Sequence, residues 1–225
     1  MMNRWRSITA LAGWGVMRSG ISHLRDWVAG ASIAAMAGLG CAGLVYAEVY
    51  PREDIIVNPA PGRFSVCHGG GCALVTQVSL STAQWQRVAD IFAVPIADPA
   101  REREKICDAI AAMEMVVGDS TGTADDRPEN ASGVHWSSQM DCIDESTNTS
   151  IYLRMLVGAG LLKWHRVEDR VTRGWFIFGW PHTTAVVRDT QSGEQWAVDS
   201  WFFANGERPA IVALAQWRSG WRPQK

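Results

Sequence analysis

Three residues in the second half of the chain have the side chains of a nucleophilic triad: Cys142, His182 and Asp199. A thiol becomes a strong nucleophile when a base takes its proton, and the base needs a third group that fixes its tautomer. Cysteine, histidine and aspartate side chains can fill these three roles. They form a site only if the fold brings them together, so the elements that contain them decide the prediction.

The elements predicted around these residues place them close together. Cys142 falls in the first turn of a helix predicted over 141–157, where unsatisfied N–H groups and the helix dipole stabilise a thiolate. His182 begins one predicted strand and Asp199 ends the next. Because the short turn 191–194 joins these two strands, we expect the imidazole and the carboxylate side by side at one end of a sheet.

Four segments around the triad follow a recognisable pattern: Asp141–Asp144, Pro181–Val186, Trp196–Trp201 and, after the helix, Leu161–Val167. A Cys at a helix start, followed by a His and then by an Asp on the adjacent strand, resembles the transglutaminase-like branch of the papain-like cysteine enzymes. The resemblance covers about residues 136–202, which is under half of the predicted domain.

The resemblance implies a transglutaminase-like core and acyl transfer through a thioester, with Cys142 as the nucleophile, His182 as the base and Asp199 as the orienting group. The implied substrate is a peptide or protein amide, and the acceptor is water or an amine, since the family includes proteases, amidases and amine-transferring enzymes. No cofactor and no metal are expected. The backbone N–H of Cys142 is one candidate oxyanion donor, and the Gln139 amide or the Trp136 indole is a candidate for the second.

Acidic neighbours of the nucleophile separate this chain from the family pattern, which often has small or aromatic residues there. Asp141, Asp144 and Glu145 lie beside Cys142 in the sequence, and nearby carboxylates raise the pKa of a thiol. An alternative function is therefore a catalytically silent binding module that keeps the fold and displays an aromatic, acidic cleft.

Two further interpretations of the three residues stay open at the level of sequence. In one, Cys142 is a core thiol, His182 a strand residue and Asp199 a turn residue. In the other, the three bind zinc with His135 as a fourth ligand, although a seven-residue gap from His135 to Cys142 matches no recognised spacing.

Two other cysteines predict a disulfide. Cys67 and Cys72 enclose the sequence His-Gly-Gly-Gly, and the glycines allow the loop to fold back for a bond. A zinc knuckle is the alternative, but no second cysteine pair completes it. We expect His68, inside this loop, on the surface, and Cys107 in the core.

The N-terminal segment predicts export. Residues 27–47 form a run of 21 uncharged residues, long enough for a membrane-spanning helix, and Arg18 and Arg25 precede it. Val45-Tyr46-Ala47 is a suitable cleavage site for signal peptidase. We interpret residues 1–47 as a cleaved signal peptide or an uncleaved anchor, with a buried Ala-rich helix as the alternative. The remaining chain is then periplasmic or extracellular, and any membrane contact is made through residues 27–47.

Composition and charge limit the rest of the chain. Apolar residues make up 47% and charged residues 20% of the chain, which is typical of a globular protein. The net charge of −2 excludes a general attraction for nucleic acid. Residues 48–62 are rich in proline and predict a linker, and residues 63–225 predict one domain of the α+β class.

Local patterns predict the order of elements in that domain. A hairpin is expected within 64–80, and capping signals predict helices after Ser81 and after Asp98. The second helix is expected to end at Gly118 and to be followed by an exposed loop, 119–135. After the third helix, an alternating pattern predicts four strands and a final short helix, over 162–168, 174–179, 183–189, 195–200 and 208–221.

Overall fold

The computed structural model describes residues 52–130, 136–174 and 181–224. The helices pack against a four-stranded antiparallel sheet, which confirms the α+β class. In chain order the elements are β1 (Phe64–His68), β2 (Leu74–Val78), α1 (Thr82–Ala89) with a 3₁₀ turn after it (Asp90–Phe92), α2 (Pro99–Thr121), α3 (Cys142–Gly158), β3 (His165–Arg173), β4 (His182–Asp189), β5 (Gln195–Asp199), β6 (Ala210–Ala213) and α4 (Leu214–Arg218).

Two antiparallel sheets organise the fold. Strands β1 and β2 form a separate hairpin, and the larger sheet has the order β3-β4-β5-β6. The register pairs Ala185 on β4 with Val198 on β5, and Asp199 with Ala210 on β6. Strands β4 and β5 are antiparallel neighbours, so β4 begins at the end of the sheet where β5 finishes. The start of β4 therefore lies next to Asp199.

Helix α3 lies at the centre of the core. It packs against β1 and against β3, β4 and β5 of the larger sheet. Its apolar face buries Ile151, Leu153, Met155 and Leu156, which are all at most 1% exposed. The polar residues 144–150 are also buried, so the helix is enclosed on nearly every side and the position of its first turn is well determined by packing.

The predicted caps of the first two helices are confirmed, but the predicted end of α2 is wrong. Ser81 and Gln84 form a capping box, and Asp98 caps α2 with Pro99 in its first turn. Helix α2 continues past Gly118 and ends at Gly122, whose φ of 78° is the left-handed conformation of a helix C-cap. Gly118 is needed for packing instead, because a Cβ there would lie 3.0 Å from the Ala124 backbone.

The C-terminal segment contains a strand that the sequence pattern did not predict. Residues 210–213 pair with β5 as strand β6, and the final helix is reduced to the five residues 214–218. A four-residue apolar run has no periodicity that separates a strand from a helix. The strand predicted over 174–179 falls, apart from Gly174, outside the described residues.

The predicted linker is partly joined to the domain. Ile55 is 3% exposed and belongs to the core cluster, and the Ile56 N–H donates to Ser65 Oγ at 3.0 Å. In the ranges that the structure describes, no helix has the length and apolar character needed to cross a bilayer. The segment predicted as signal peptide or anchor, residues 1–47, lies outside the described residues.

Candidate active site

His182 and Asp199 are joined by a buried hydrogen bond. His182 Nε2 lies 2.8 Å from Asp199 Oδ2, and the two residues are 7% and 2% exposed. His182 Nδ1 is also buried and has no hydrogen-bond partner among the described residues. When the ionised Asp199 accepts the Nε2 proton, Nδ1 is the basic nitrogen of the ring. The pair therefore has the arrangement of an oriented general base.

The sulfur of Cys142 lies against the backbone on both sides of His182. Cys142 is the first residue of α3, and its Sγ is 4.0 Å from the carbonyl oxygen of Pro181. On the other side, the backbone N–H of Thr183 lies close enough to the sulfur to lower the pKa of the thiol. The fold thus brings the predicted nucleophile to the start of β4, where the predicted base is located, but the thiol donates to the Pro181 carbonyl and no hydrogen bond joins it to His182 Nδ1.

The thiol of Cys142 is protonated at neutral pH in this environment. Burial raises its pKa to about 11, and the negative charges of Asp141 and Asp199 act in the same direction. The Thr183 N–H lowers the pKa but does not offset burial. The thiol therefore cannot ionise alone near neutral pH, and a thiolate requires a base that takes the proton directly.

Trp217 completes the hydrogen bonding of Asp199, and the sequence did not indicate this role. Its indole N–H donates to Asp199 Oδ2 at 2.6 Å, the oxygen that also accepts from His182. Trp217 lies in α4, after the triad residues in the chain. The sequence pattern indicated only that it is one of several regularly spaced apolar residues in this segment. Together with Trp201 and Phe202 it surrounds the imidazole, with ring centroids 4.5 to 5.5 Å from that of His182.

The acids beside Cys142 do not form the acidic rim that the sequence suggested. Asp141 is the N-cap of α3, and its Oδ1 accepts the N–H groups of Ile143 and Asp144. Asp144 and Glu145 are 0% and 4% exposed. Asp144 and Glu145 are therefore parts of the interior, and the half-buried Asp141 is used as the helix cap.

A disulfide closes the loop between β1 and β2, which we call the disulfide loop (residues 67–72). Cys67 and Cys72 are bonded, with Cα atoms 4.7 Å apart. Residues 69–72 all have positive φ, and three of the four are glycines, which adopt this conformation without steric cost. His68 is 5% exposed, so the expectation of a surface position is wrong: Ser137 O and Thr76 Oγ1 bind its two ring nitrogens.

The disulfide loop binds the acids at the start of α3. The N–H groups of Gly70 and Cys72 donate to the two carboxylate oxygens of Asp144 at 2.7 and 2.6 Å, and the Gly71 N–H donates to Asp141 at 2.8 Å. A concave run of backbone N–H groups is an anion-binding arrangement. Burial and the Asp141 charge raise the pKa of Asp144 to about 7, and the N–H donors oppose this rise.

Asn148, one turn further along α3, attaches the other end of the loop. Its side-chain oxygen accepts the Cys67 N–H at 2.7 Å, and its amide donates to the Cys67 carbonyl at 2.8 Å. The Asn148 side chain thus binds both backbone groups of Cys67, as a neighbouring strand would, and it is 2% exposed. The sequence contained no signal for this contact, because the two residues are 81 positions apart.

Gln139, a candidate oxyanion donor, has another role in the structure. Its amide group donates to the carbonyl oxygens of Asp125 and Ser138, and its oxygen accepts from Arg127 and Asn130. The amide is thus used to hold the 125–130 segment, which corrects the prediction for this residue. Trp136, the other candidate, is 60% exposed.

A group of three buried acids lies behind the first turn of α3: Glu114, Asp126 and Glu145. Glu145 bonds to Asp126, and Asp126 accepts the Met140 N–H at 2.6 Å. Burial raises the pKa of Glu114 to about 8 and that of Asp126 to about 6, and burial and the neighbouring acids raise that of Glu145 well above its usual range. Glu114 and Glu145 therefore hold protons at neutral pH, whereas Asp126 is mostly ionised.

A zinc centre built on the triad is not supported by the described residues. The group of potential ligands found among them is Cys67, Cys72 and Asp144, whose ligand atoms lie within 4.8 Å of one another. The two sulfurs are bonded to each other, and both Asp144 oxygens accept N–H groups, so these atoms are already engaged. His135, the proposed fourth ligand, lies outside the described residues.

Comparison with known proteins adds no assignment: no protein-family model, no curated protein and no solved structure matches this chain.

Proposed function

We propose that the chain is a cysteine acyl-transfer enzyme of the transglutaminase-like type, in which Cys142 is the nucleophile, His182 the general base and Asp199 the orienting group. The observation that carries the proposal is the buried His182–Asp199 hydrogen bond at 2.8 Å, with Nδ1 unpartnered among the described residues. The contacts of the Cys142 sulfur with the residues on either side of His182 supply the second support.

The proposed reaction begins with transfer of the thiol proton of Cys142 to His182 Nδ1. The sulfur attacks the carbonyl carbon of an amide, and the backbone N–H of Cys142 binds the oxyanion. The imidazolium then gives its proton to the leaving amine, and the acyl group remains on the sulfur as a thioester. Water or a second amine, deprotonated by His182, attacks the thioester and regenerates the thiol.

The high pKa of the thiol favours direct proton transfer to the base over a standing ion pair. Because burial raises the pKa of Cys142 to about 11, the thiolate is stable only while His182 holds the proton. Asp199 keeps the other ring proton on Nε2 and stabilises the imidazolium formed in this step. The alternative is a silent binding module. Asp144 and Glu145 are buried and cannot line its cleft, but the raised pKa of the Cys142 thiol favours it.

Amide turnover by the purified chain tests the proposal. A diverse peptide library is incubated with the protein, with and without a primary amine, and the products are identified by mass spectrometry. We expect cleavage products or amine adducts that depend on Cys142 and are absent with Cys142→Ala. Cys107→Ala, which alters a buried thiol in α2, is the matched control and should retain the activity. Products that persist in Cys142→Ala would exclude Cys142 as the nucleophile.

We also propose that the domain functions outside the cytoplasm. The Cys67–Cys72 disulfide supports this location, since such bonds persist in oxidising compartments. A fusion of residues 1–62 to a reporter enzyme that is active only after export tests the location. An inactive reporter, with the fusion protein present in the cytoplasm, would contradict it.

A further inference from the structure

We infer that Trp217 is a positioning residue of the triad, which fixes the orientation of the Asp199 carboxylate towards His182. The inference rests on the proposed function of Cys142, His182 and Asp199. Trp217 does not touch the reacting atoms, and it acts through Asp199.

A single carboxylate oxygen receives both donors. Asp199 Oδ2 accepts from the Trp217 indole N–H at 2.6 Å and from His182 Nε2 at 2.8 Å. Trp217 is 0% exposed and Asp199 is 2% exposed, so water does not compete for this oxygen. Hydrogen bonds to an ionised group in such an environment are shorter and stronger than neutral ones.

The indole is itself held from the opposite side by Arg173, at the end of β3. The guanidinium carbon lies 4.3 Å from the centroid of a Trp217 ring. The same guanidinium donates to the Trp217 carbonyl, and it donates to the Trp221 carbonyl at 2.9 Å. Arg173 on β3 pairs with His182 on β4, so the residue that holds Trp217 and the proposed base lie on neighbouring strands. Trp217 is therefore fixed with respect to the triad.

The physical effect of the indole N–H follows from geometry. A donor on Oδ2 fixes the direction of this oxygen, so the oxygen stays aimed at His182 Nε2. Removing the donor takes away the contact that fixes the carboxylate, and the imidazole is then less often in the orientation that takes the thiol proton.

The test replaces Trp217 in the full chain by 3-benzothienylalanine, in which sulfur takes the place of the indole N–H and the bicyclic shape is kept. The rate of Cys142 alkylation by iodoacetamide is measured by peptide mass spectrometry as a function of pH. We expect the His182-dependent part of this rate to be about threefold to tenfold lower across the profile, because the carboxylate no longer holds the imidazole in place. A pH profile that coincides with that of the wild type would overturn the inference.

Trp196 on β5 provides the matched control. It lies three residues before Asp199, and its indole nitrogen is buried without a hydrogen-bond partner among the described residues. The same replacement at Trp196 should leave the pH profile unchanged. His182→Ala separates the two proposals: if alkylation of Cys142 in the wild type equals that in His182→Ala, the proposed function fails before Trp217 is tested.

A second measurement uses the unmodified protein, so that it does not depend on folding of the variant. The indole ¹H–¹⁵N resonance of Trp217 and the imidazole resonances of His182 are followed by NMR as a function of pH. We expect the Trp217 resonance to shift with His182, and the Trp196 resonance to stay constant. A Trp217 resonance that is independent of this titration would contradict a shared carboxylate oxygen.

Discussion

The backbone N–H of Cys72 donates to the carboxylate of Asp144 at 2.6 Å, so the disulfide loop is attached to the first turn of the helix that contains Cys142. Gly70 and Gly71 add bonds to Asp144 and Asp141. Asp141 and Asp144, two of the three acids beside Cys142, thus accept backbone N–H groups of the loop. They hold the helix that contains Cys142 to the β1–β2 hairpin.

Removal of the disulfide is expected to weaken both the fold and the site. In the double variant Cys67→Ser and Cys72→Ser, the entropic gain from so short a loop is lost, which lowers the free energy of unfolding by about 2 kcal/mol. The Asp144 bonds loosen with the loop, and alkylation of Cys142 slows. Urea unfolding and iodoacetamide labelling measure the two effects.

The control is the effect of a reductant on the free energy of unfolding and on the rate of Cys142 alkylation. Wild-type protein in reducing buffer should behave like the double variant, and the double variant should be insensitive to the reductant. If Cys142 labels at the wild-type rate in the double variant, the loop supports the fold alone and does not position the nucleophile.

Asn148→Ala is expected to destabilise the protein by about 2–5 kcal/mol. The change removes the partners of the Cys67 N–H and carbonyl, which are both buried, and each unsatisfied group costs about 1–3 kcal/mol. Ser150→Ala, also buried in α3, removes a hydroxyl that bonds within its own helix at 2.8 Å and should cost much less. Equal midpoints of thermal unfolding for the two variants would contradict a stabilising role of the two hydrogen bonds between Asn148 and Cys67.

Asp199→Asn is expected to reduce turnover by about 10- to 10³-fold, less than the ~10⁴-fold loss in a serine triad. The amide of Asn can present an N–H to His182 Nε2, which favours the tautomer with the proton on Nδ1. Turnover of a peptide found with the library measures the effect, and Cys142→Ala should abolish it. Circular dichroism must show that both variants keep the fold. Full activity of Asp199→Asn would mean that Asp199 has a structural role only.

The buried acids behind α3 predict a stability that falls between about pH 5 and pH 8. In the folded protein, burial raises the pKa of Glu114 from about 4.5 to about 8. Between these values the folded state binds more protons than the unfolded state, so the free energy of unfolding falls as the pH rises. We expect a loss on the order of a few kcal/mol between pH 5 and pH 8, which urea unfolding at a series of pH values measures.

Glu114→Gln isolates this effect. The glutamine oxygen can still accept the Gly206 N–H, which lies 3.0 Å from the Glu114 carboxylate, and it cannot ionise. The variant should be more stable than the wild type at pH 8 and should show a flatter pH dependence. Glu104→Gln, an exposed acid on the same helix, is the control that should leave the slope unchanged. An unchanged slope in Glu114→Gln would mean that this acid is ionised in the folded protein.

Much of the fold could be predicted because its signals are local. The capping box at Ser81 and the cap at Asp98 are short sequence patterns, and both are present as expected. The start of α3 at Cys142 and the antiparallel β4–β5 pair also follow from caps, alternation and a short turn. These features place His182 next to Asp199 without any knowledge of the tertiary packing.

The remaining features depend on contacts between distant parts of the chain. The Trp217–Asp199 bond joins a short final helix to the end of β5, and no local pattern marks an indole N–H as a partner of a carboxylate. The sequence predicts a helix end at Gly118 because glycine is a weak helix former, yet in the structure the missing Cβ allows close packing of the segment that contains Ala124. Gln139 likewise has a role that only its partners in the 125–130 segment define.

Acylation of Cys142 by p-nitrophenyl acetate tests the central claim most directly. The sulfur attacks the acetyl carbon, p-nitrophenolate leaves, and the thiol proton passes to His182. We predict a burst of about one equivalent of p-nitrophenolate, with the acetyl group found on Cys142. His182→Ala should slow the burst by about 10²- to 10⁴-fold, and Cys107→Ala should leave it unchanged. Equal burst rates in the wild type and in His182→Ala would contradict activation of Cys142 by His182.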